Sequence, residues 1–190
     1  MEKTMTLARA ASFCVLLAVL ALPPAAAQTP AQPSASPDAG LEGRRVKALS
    51  EEETADLAAG RGMGLALAAE LNGYPGPTHV AELADALELL PEQRTRVQAL
   101  VAEMKAETIA IGRQIIEDET ALDRLFAEKN VTRAALENLT ARIGAAQGEL
   151  RAAHLRYHLV MVEVLSPEQV AHYAEQRGYA TGGHRMHGTQ

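Results

Sequence analysis

The chain has 190 residues, 47% of them hydrophobic but only 3% aromatic, with 37 alanines, one cysteine and no tryptophan. Abundant alanine with few β-branched and aromatic residues points to helices and excludes a β-sandwich or barrel; the length suits one domain of ordinary size. Eighteen Lys plus Arg face 24 Asp plus Glu, a formal charge of −6. That balance excludes the basic footprint by which nucleic-acid binders displace phosphate counterions.

Residues 1–27 read as a signal peptide. Lys3 and Arg9 form a short basic start, an apolar run of 13 residues extends from Ala10 to Leu22, and Pro23-Pro24 breaks it before Ala25-Ala26-Ala27. The run is too short to span a hydrocarbon core of about 30 Å as a helix, so cleavage before Gln28 is expected, with an uncleaved anchor as the alternative. Cys14 follows Phe13, which does not resemble a lipoprotein cleavage site, and cleavage leaves a cysteine-free chain. The expected location is the periplasm, with no transmembrane segment in the mature protein. Losing Glu2, Lys3 and Arg9 brings the charge to −7. Residues 28–45, with Pro30, Pro33 and Pro37 among small polar residues, predict a disordered linker. The helical domain is then 46–179, and 180–190 a disordered Gly- and His-containing tail.

Ser50 and Glu53 have capping-box spacing, predicting a helix from there to about Leu71, where Asn72-Gly73 and Tyr74-Pro75-Gly76-Pro77 stop it. Thr78 is placed to cap a short helix through about Leu87. Pro91 opens a long one, being tolerated at a first helical position. Val97, Val101, Met104, Thr108, Ile111, Ile115, Leu122 and Leu125 follow steps of four and three, with Asp118 as a polar break on the same line. After Lys129-Asn130-Val131, Thr132 can cap a second arm, where Leu136, Leu139, Ile143, Ala146, Leu150, Ala153, Tyr157, Val160 and Val164 keep the same step. Two heptad seams joined by a short turn predict an all-α fold built on an antiparallel hairpin, roughly 50 Å long at 1.5 Å per residue. Ser166-Pro167-Glu168-Gln169 starts a last short helix ended by Gly178. Ile109, Ile116 and Phe126 fall off the main seam, and this spare apolar edge predicts a homodimer.

Two strings recur at matching places, Leu89-Leu90-Pro91-Glu92-Gln93 and Leu165-Ser166-Pro167-Glu168-Gln169. In the second, Ser166 caps, Pro167 takes the first helical position and Gln169 reaches back to complete a box. An export signal, two such helix starts and a long hairpin between them resemble the Spy/CpxP family, also called the LTxxQ-motif family. The stretch from Gly60 through Pro77 is similar to members of the same group. The resemblance covers residues 50 to 178. It implies either a periplasmic refolding chaperone or a related periplasmic heavy-metal sensor or resistance protein. Two departures stand out: Leu90 occupies the position of the motif threonine, and the chain is acidic where the family's chaperones present a basic cradle.

His154 and His158, four apart on the second arm, point the same way, with Met161 three further on. Two imidazoles at that spacing can share one transition-metal ion, and a thioether suits a soft one. The competing reading is a pair of half-buried packing histidines, since two ligands leave the shell incomplete. An estimated register puts Glu107 near Arg156 and Lys105 near His154. His184, Met186 and His187 in the tail form a weaker metal-binding tract, whereas His79 and His172 read as structural. Gly60, Gly62 and Gly64 lack the strand and Lys-Ser/Thr of a phosphate loop and read instead as close-contact glycines. No Ser/His/Asp, Cys/His or paired-carboxylate set emerges, so no enzymatic activity is expected.

The leading functional expectation is an ATP-independent, chaperone-like protein of the envelope stress response. It would hold unfolded or misfolded envelope proteins on an apolar surface comprising Met63, Leu67, Leu71, Ile109, Ile116 and Phe126, residues that a dimer interface would also use. The alternative is a heavy-metal sensor or resistance protein. No cofactor is required in the first case; in the second a transition metal (Zn, Cu, Ni or Co) is bound through the helix histidines.

Overall fold

A computed structural model describes residues 36–179, and those from Asp38 onward belong to one compact unit. The signal peptide, most of the linker and the tail, including His184, Met186 and His187, lie outside the described residues. Within them the architecture is all-helical, with no strand, and no helix is long and apolar enough to cross a membrane. A 3₁₀ turn at Leu41–Gly43 precedes six α-helices: α1 (Glu51–Ala59), α2 (Leu67–Glu70), α3 (Pro77–Glu82), α4 (Pro91–Ala127), α5 (Arg133–Val164) and α6 (Pro167–Gln176).

The helix starts form for the reasons visible in the sequence. Ser50 Oγ accepts from Glu53 N at 3.0 Å while Glu53 Oε2 accepts from Ser50 N at 2.8 Å. Thr132 caps α5 through Ala135 N at 3.2 Å. Ser166 and Gln169 make the same reciprocal box on α6. Leu90 offers no side-chain cap, and Gln93 compensates in part by accepting from Leu90 N at 3.0 Å.

Two boundaries differ from expectation. Gly60 takes a left-handed conformation, φ 63°, and ends α1 after nine residues. A continuous helix to Leu71 would require its regular hydrogen bonds to run through Arg61–Ala66, where tight turns replace them. The next short helix begins at Pro77 with Gly76 as its N-cap, two residues earlier than a Thr78 cap would set it, and ends at Glu82.

Arms α4 and α5 pack antiparallel along their length, and α4 spans about 55 Å at 1.5 Å per residue. On α4 the buried side runs through Val97, Leu100, Met104, Thr108, Ile111 and Ile115 to Asp118. On α5 the seam follows prediction from Leu139 to Ala153, then moves one residue round to His154, His158 and Met161. Tyr157, Val160 and Val164 are half-buried there. The reason is crowding: at this end α5 is flanked by α4 and also by α2 and α3, so a wider arc of its surface is covered.

The apolar core has two parts. Near the open end of the hairpin, Val80, Leu87, Leu89, Val97, Leu100, Met161, Leu165 and Tyr173 form one cluster. Farther along, Leu57 of α1 meets Ile111, Ile115, Ala146, Leu150 and Ala153. Gly112 permits that contact: a Cβ there would lie 2.3 Å from Leu57 O. Asp118, a polar residue on the seam, is buried and ion-paired with Arg142 of the opposite arm.

At the open end the two recurring strings meet. Gln93 Nε2 donates to Gln169 Oε1 at 2.9 Å and to Val164 O at 2.8 Å. Gln169 Nε2 donates back to Gln93 Oε1 at 3.0 Å and to Leu87 O at 3.2 Å. Leu89 and Leu165, which precede the two helix starts, are buried below this amide pair.

Candidate functional site

The break between α1 and α2 opens a cleft of about 800 Å³ against the flank of the hairpin. Its walls come from the end of α1, the Gly60–Gly64 turn, α2, the start of α3, Met104 and Lys105 of α4, His154 and His158 of α5, and Arg177 and Tyr179 beyond α6.

Helical spacing brings the two α5 histidines to this wall. His154 is 3% exposed, and its Nε2 is buried without a hydrogen-bond partner. Burial pushes its pKa below the ordinary histidine value, and the neighbouring His158 lowers it further. The ring is therefore held neutral, the form in which imidazole binds a metal. Gly62 leaves room beside it: a Cβ there would still stand 4.0 Å from the His154 ring.

His158 is 6% exposed and its Nδ1 donates to Tyr74 O at 2.7 Å. A carbonyl partner on one ring nitrogen is the arrangement that orients metal-binding imidazoles. The loop supplying the carbonyl is stiff, since Pro75, Gly76 and Pro77 are all buried. Gly76 is required for space, because a Cβ would sit 3.0 Å from His158 Cε1 and 3.1 Å from Glu70 Oε2.

Glu70 is the feature that the sequence reading missed. Its carboxylate is buried at 6% exposure and gathers donors from four parts of the chain. Tyr173 OH donates to Oε1, His79 Nδ1 stands 3.1 Å from the same oxygen, Tyr179 OH 3.4 Å and Arg177 Nε 3.8 Å. His158 Nδ1 lies 3.6 Å from Oε2. Burial, then the hydrogen bond to Glu70 and its negative charge, push the Tyr173 phenol far above the ordinary range. No local sequence signal marks this hub, because most of its partners are about a hundred residues away.

Other expected site residues take different places. Met161 is fully buried in the open-end core and does not line the cleft. The sulfurs on the wall belong to Met63 and Met104. Met63, Leu67 and Leu71 are exposed at 39%, 54% and 58%, and Phe126 at 53% near the far end of α4. Ile109 and Ile116 are half-buried within the fold: Ile109 faces Gly60, and Ile116 packs on the core around Leu57. The estimated register holds, for Arg156 pairs with Glu107 and Lys105 shares the cleft with His154.

The donors present fit a transition-metal ion in part. An orphaned imidazole nitrogen of His154 and a second imidazole oriented by the Tyr74 carbonyl share one wall. Among the described residues, however, no three His, Cys, Asp or Glu side chains converge closely enough to hold an ion. The described fold is thus an all-helical hairpin with two imidazoles on the wall of a cleft. The chain belongs to the heavy-metal resistance family, whose sequence profile matches residues 57–172. That match spans most of the cleft, the hairpin and the first part of α6. No curated protein and no solved structure shows a significant match to the chain.

Proposed function

We propose that the protein is an exported heavy-metal sensor or resistance protein that binds a transition-metal ion through His154 and His158. The observation that carries this reading is His154 Nε2, buried and unpartnered on the wall of the cleft. An orphaned polar atom inside a fold costs about 1–3 kcal/mol, and coordination removes that penalty. When bound, the ion would be held by His154 and His158 and would supply a positive charge on the α5 wall of the cleft. The chain's own residues do the rest: Tyr74 O holds His158 in register, Gly62 and Gly76 keep the wall open, and Glu70 anchors the opposite side. The family match supports this reading over the chaperone one.

The test is calorimetric titration of the mature chain with Zn²⁺, Cu²⁺, Ni²⁺ and Co²⁺, repeated on His154→Ala/His158→Ala. Removing two ligands is expected to weaken the preferred ion by about 100-fold or more. Unchanged affinity in the double variant rules the helical site out.

Exposed Met63, Leu67 and Leu71 beside the cleft favour a second role, in which a homodimer or an unfolded envelope protein covers that apolar rim. Client aggregation with and without stoichiometric protein tests the chaperone arm. Undiminished aggregation removes it.

A further inference from the structure

We infer that Met63 and Met104 complete the metal site, joining His154 and His158 in a sulfur-bearing shell that selects the soft monovalent ion Cu⁺ over Zn²⁺, Ni²⁺ and Co²⁺. This rests on the metal-binding reading above and deepens it by naming the remaining ligands and the class of ion.

Three observations lead there. The first is placement. Gly62 lies against the His154 ring, since a Cβ on it would stand 4.0 Å from both Nδ1 and Cε1. Met63 is the next residue and lines the same cleft, and Met104 lines it from α4. The pair of Glu107 with Arg156 sets the register of the antiparallel arms. Carried along from that pair, it brings Met104 to the level of His158 and Thr108 to the level of His154, all four being buried. Thr108 Oγ1 in turn stands 3.4 Å from Gly60 O, so the glycine turn that carries Met63 rests on this same stretch of α4.

The second is backbone strain. Met63 sits at φ 45°, in the left-handed region that a Cβ disfavours and glycine takes freely. The turn is otherwise built on glycine at positions 60, 62 and 64, yet here it carries a thioether. Core packing does not account for that choice, because Met63 is 39% exposed at the cleft. A strained residue with its side chain at the mouth of a cleft fits a ligand role.

The third is chemistry. Two imidazoles fill half of a tetrahedral shell. Among the described residues no third His, Cys, Asp or Glu converges with them, and Glu70, the carboxylate beside His158, is engaged by Tyr173 and His79. The two thioethers on the same wall complete the shell. Thioether sulfur is neutral and polarisable, and it selects Cu⁺. All four ligands are then uncharged. A monovalent ion among them costs far less to bury than a divalent one, since the desolvation cost grows with the square of the charge. The rotatable bonds of methionine let both sulfurs settle on one centre.

The experiment titrates Cu⁺, held reduced by ascorbate and buffered by a chromogenic chelator, into the mature full-length chain, with Zn²⁺ titrated in parallel by calorimetry. Met63→Gly, Met104→Leu and His154→Ala/His158→Ala accompany the parent. Glycine relieves the left-handed strain and leucine keeps the buried volume, so both methionine variants keep the fold, checked by their urea midpoints. Ag⁺ added to the parent chain, labelled with ¹³C at its methionine methyls, gives a readout that needs no variant. The expected result is one Cu⁺ per chain, bound more tightly than Zn²⁺, with affinity at least about tenfold weaker in each methionine variant. Ag⁺ should shift the methyls of Met63 and Met104 and leave Met161 in place. Unchanged Cu⁺ affinity in either methionine variant, methyl shifts confined to Met186, or tighter binding of Zn²⁺ overturns the inference; the histidine site stands if affinity is still lost in the histidine variant. Unchanged affinity in the histidine variant overturns both readings.

Discussion

Replacing Gly112 with alanine pits two effects against each other at a single helical position. Glycine in a helix interior costs about 1 kcal/mol relative to alanine, so the substitution should stabilise α4 if nothing stood in the way. The added Cβ, however, would meet Leu57 O at 2.3 Å, Leu57 C at 2.9 Å and Leu57 Cα at 3.2 Å. These are backbone atoms of α1 and cannot rotate aside. Restoring ordinary contact requires α1 to retreat by about 1 Å, loosening Leu57 from Ile111, Ile115 and Ala153; overpacking of this kind costs about 1–3 kcal/mol. Gly144 and Gly148 on α5 provide the control, since a Cβ at either meets nothing within 4 Å. Each should gain about 0.5–1 kcal/mol as alanine, whereas Gly112→Ala should show no such gain and lose up to about 2 kcal/mol net. Urea denaturation of the three variants measures all of this in one assay. Stabilisation of Gly112→Ala to the same extent as Gly144→Ala would refute the close approach of α1 to α4.

Arg142→Met should destabilise by about 2–3 kcal/mol, because it leaves Asp118 buried without its partner; adding Asp118→Leu should recover most of the loss, as measured by denaturant midpoint. Tyr173→Phe should cost about 1–2 kcal/mol in thermal or urea unfolding by withdrawing a buried hydrogen bond from Glu70, and ultraviolet titration of the parent should find Tyr173 still protonated where free phenols have ionised. His154 has a folded pKa below its unfolded value of 6.5, so the unfolded chain takes up protons first as the solution is acidified. The stability it contributes is present above pH 6.5 and is lost as pH falls through the lower folded value. A His154→Leu variant should show a flatter stability profile over that window, and an unaltered profile would count against a buried, neutral His154.

Local chemistry was readable and long-range coverage was not. Ser50 with Glu53, Thr132, and Ser166 with Gln169 each satisfy orphan helix-end groups within three residues, so their roles were plain from the sequence. The arms were readable for the same reason, as four-three periodicity depends only on facing one partner. Where α5 gains a second neighbour the buried stripe turns toward His154, His158 and Met161, which no periodicity in α5 announces. Gly60, Gly62 and Gly64 read as close-contact glycines within a continuous helix, and only the fold shows Gly60 turning left-handed to end α1. Glu70 shows the limit most clearly: Leu67 and Leu71 beside it are exposed while the carboxylate is buried. That inversion makes sense only once Tyr173 and Arg177 have been folded against it. The histidine pair was visible as a candidate, whereas the orphaned nitrogen that makes His154 informative required the three-dimensional surroundings.

The reciprocal amides of Gln93 and Gln169 give the hairpin a mechanical asymmetry. They tie the base of α4 to α6, and Gln93 Nε2 also reaches Val164 O at the end of α5, while the other end of the hairpin is closed by the turn from Glu128 to Thr132. A rod of about 55 Å held at its base behaves as a lever, and each degree of rotation at the clamp carries the tip through about 1 Å. The cleft lies along the shaft, between clamp and tip, so a small repacking around His154 and His158 is magnified at Lys129. A distance label at the tip is therefore a more sensitive reporter of events in the cleft than one placed beside it.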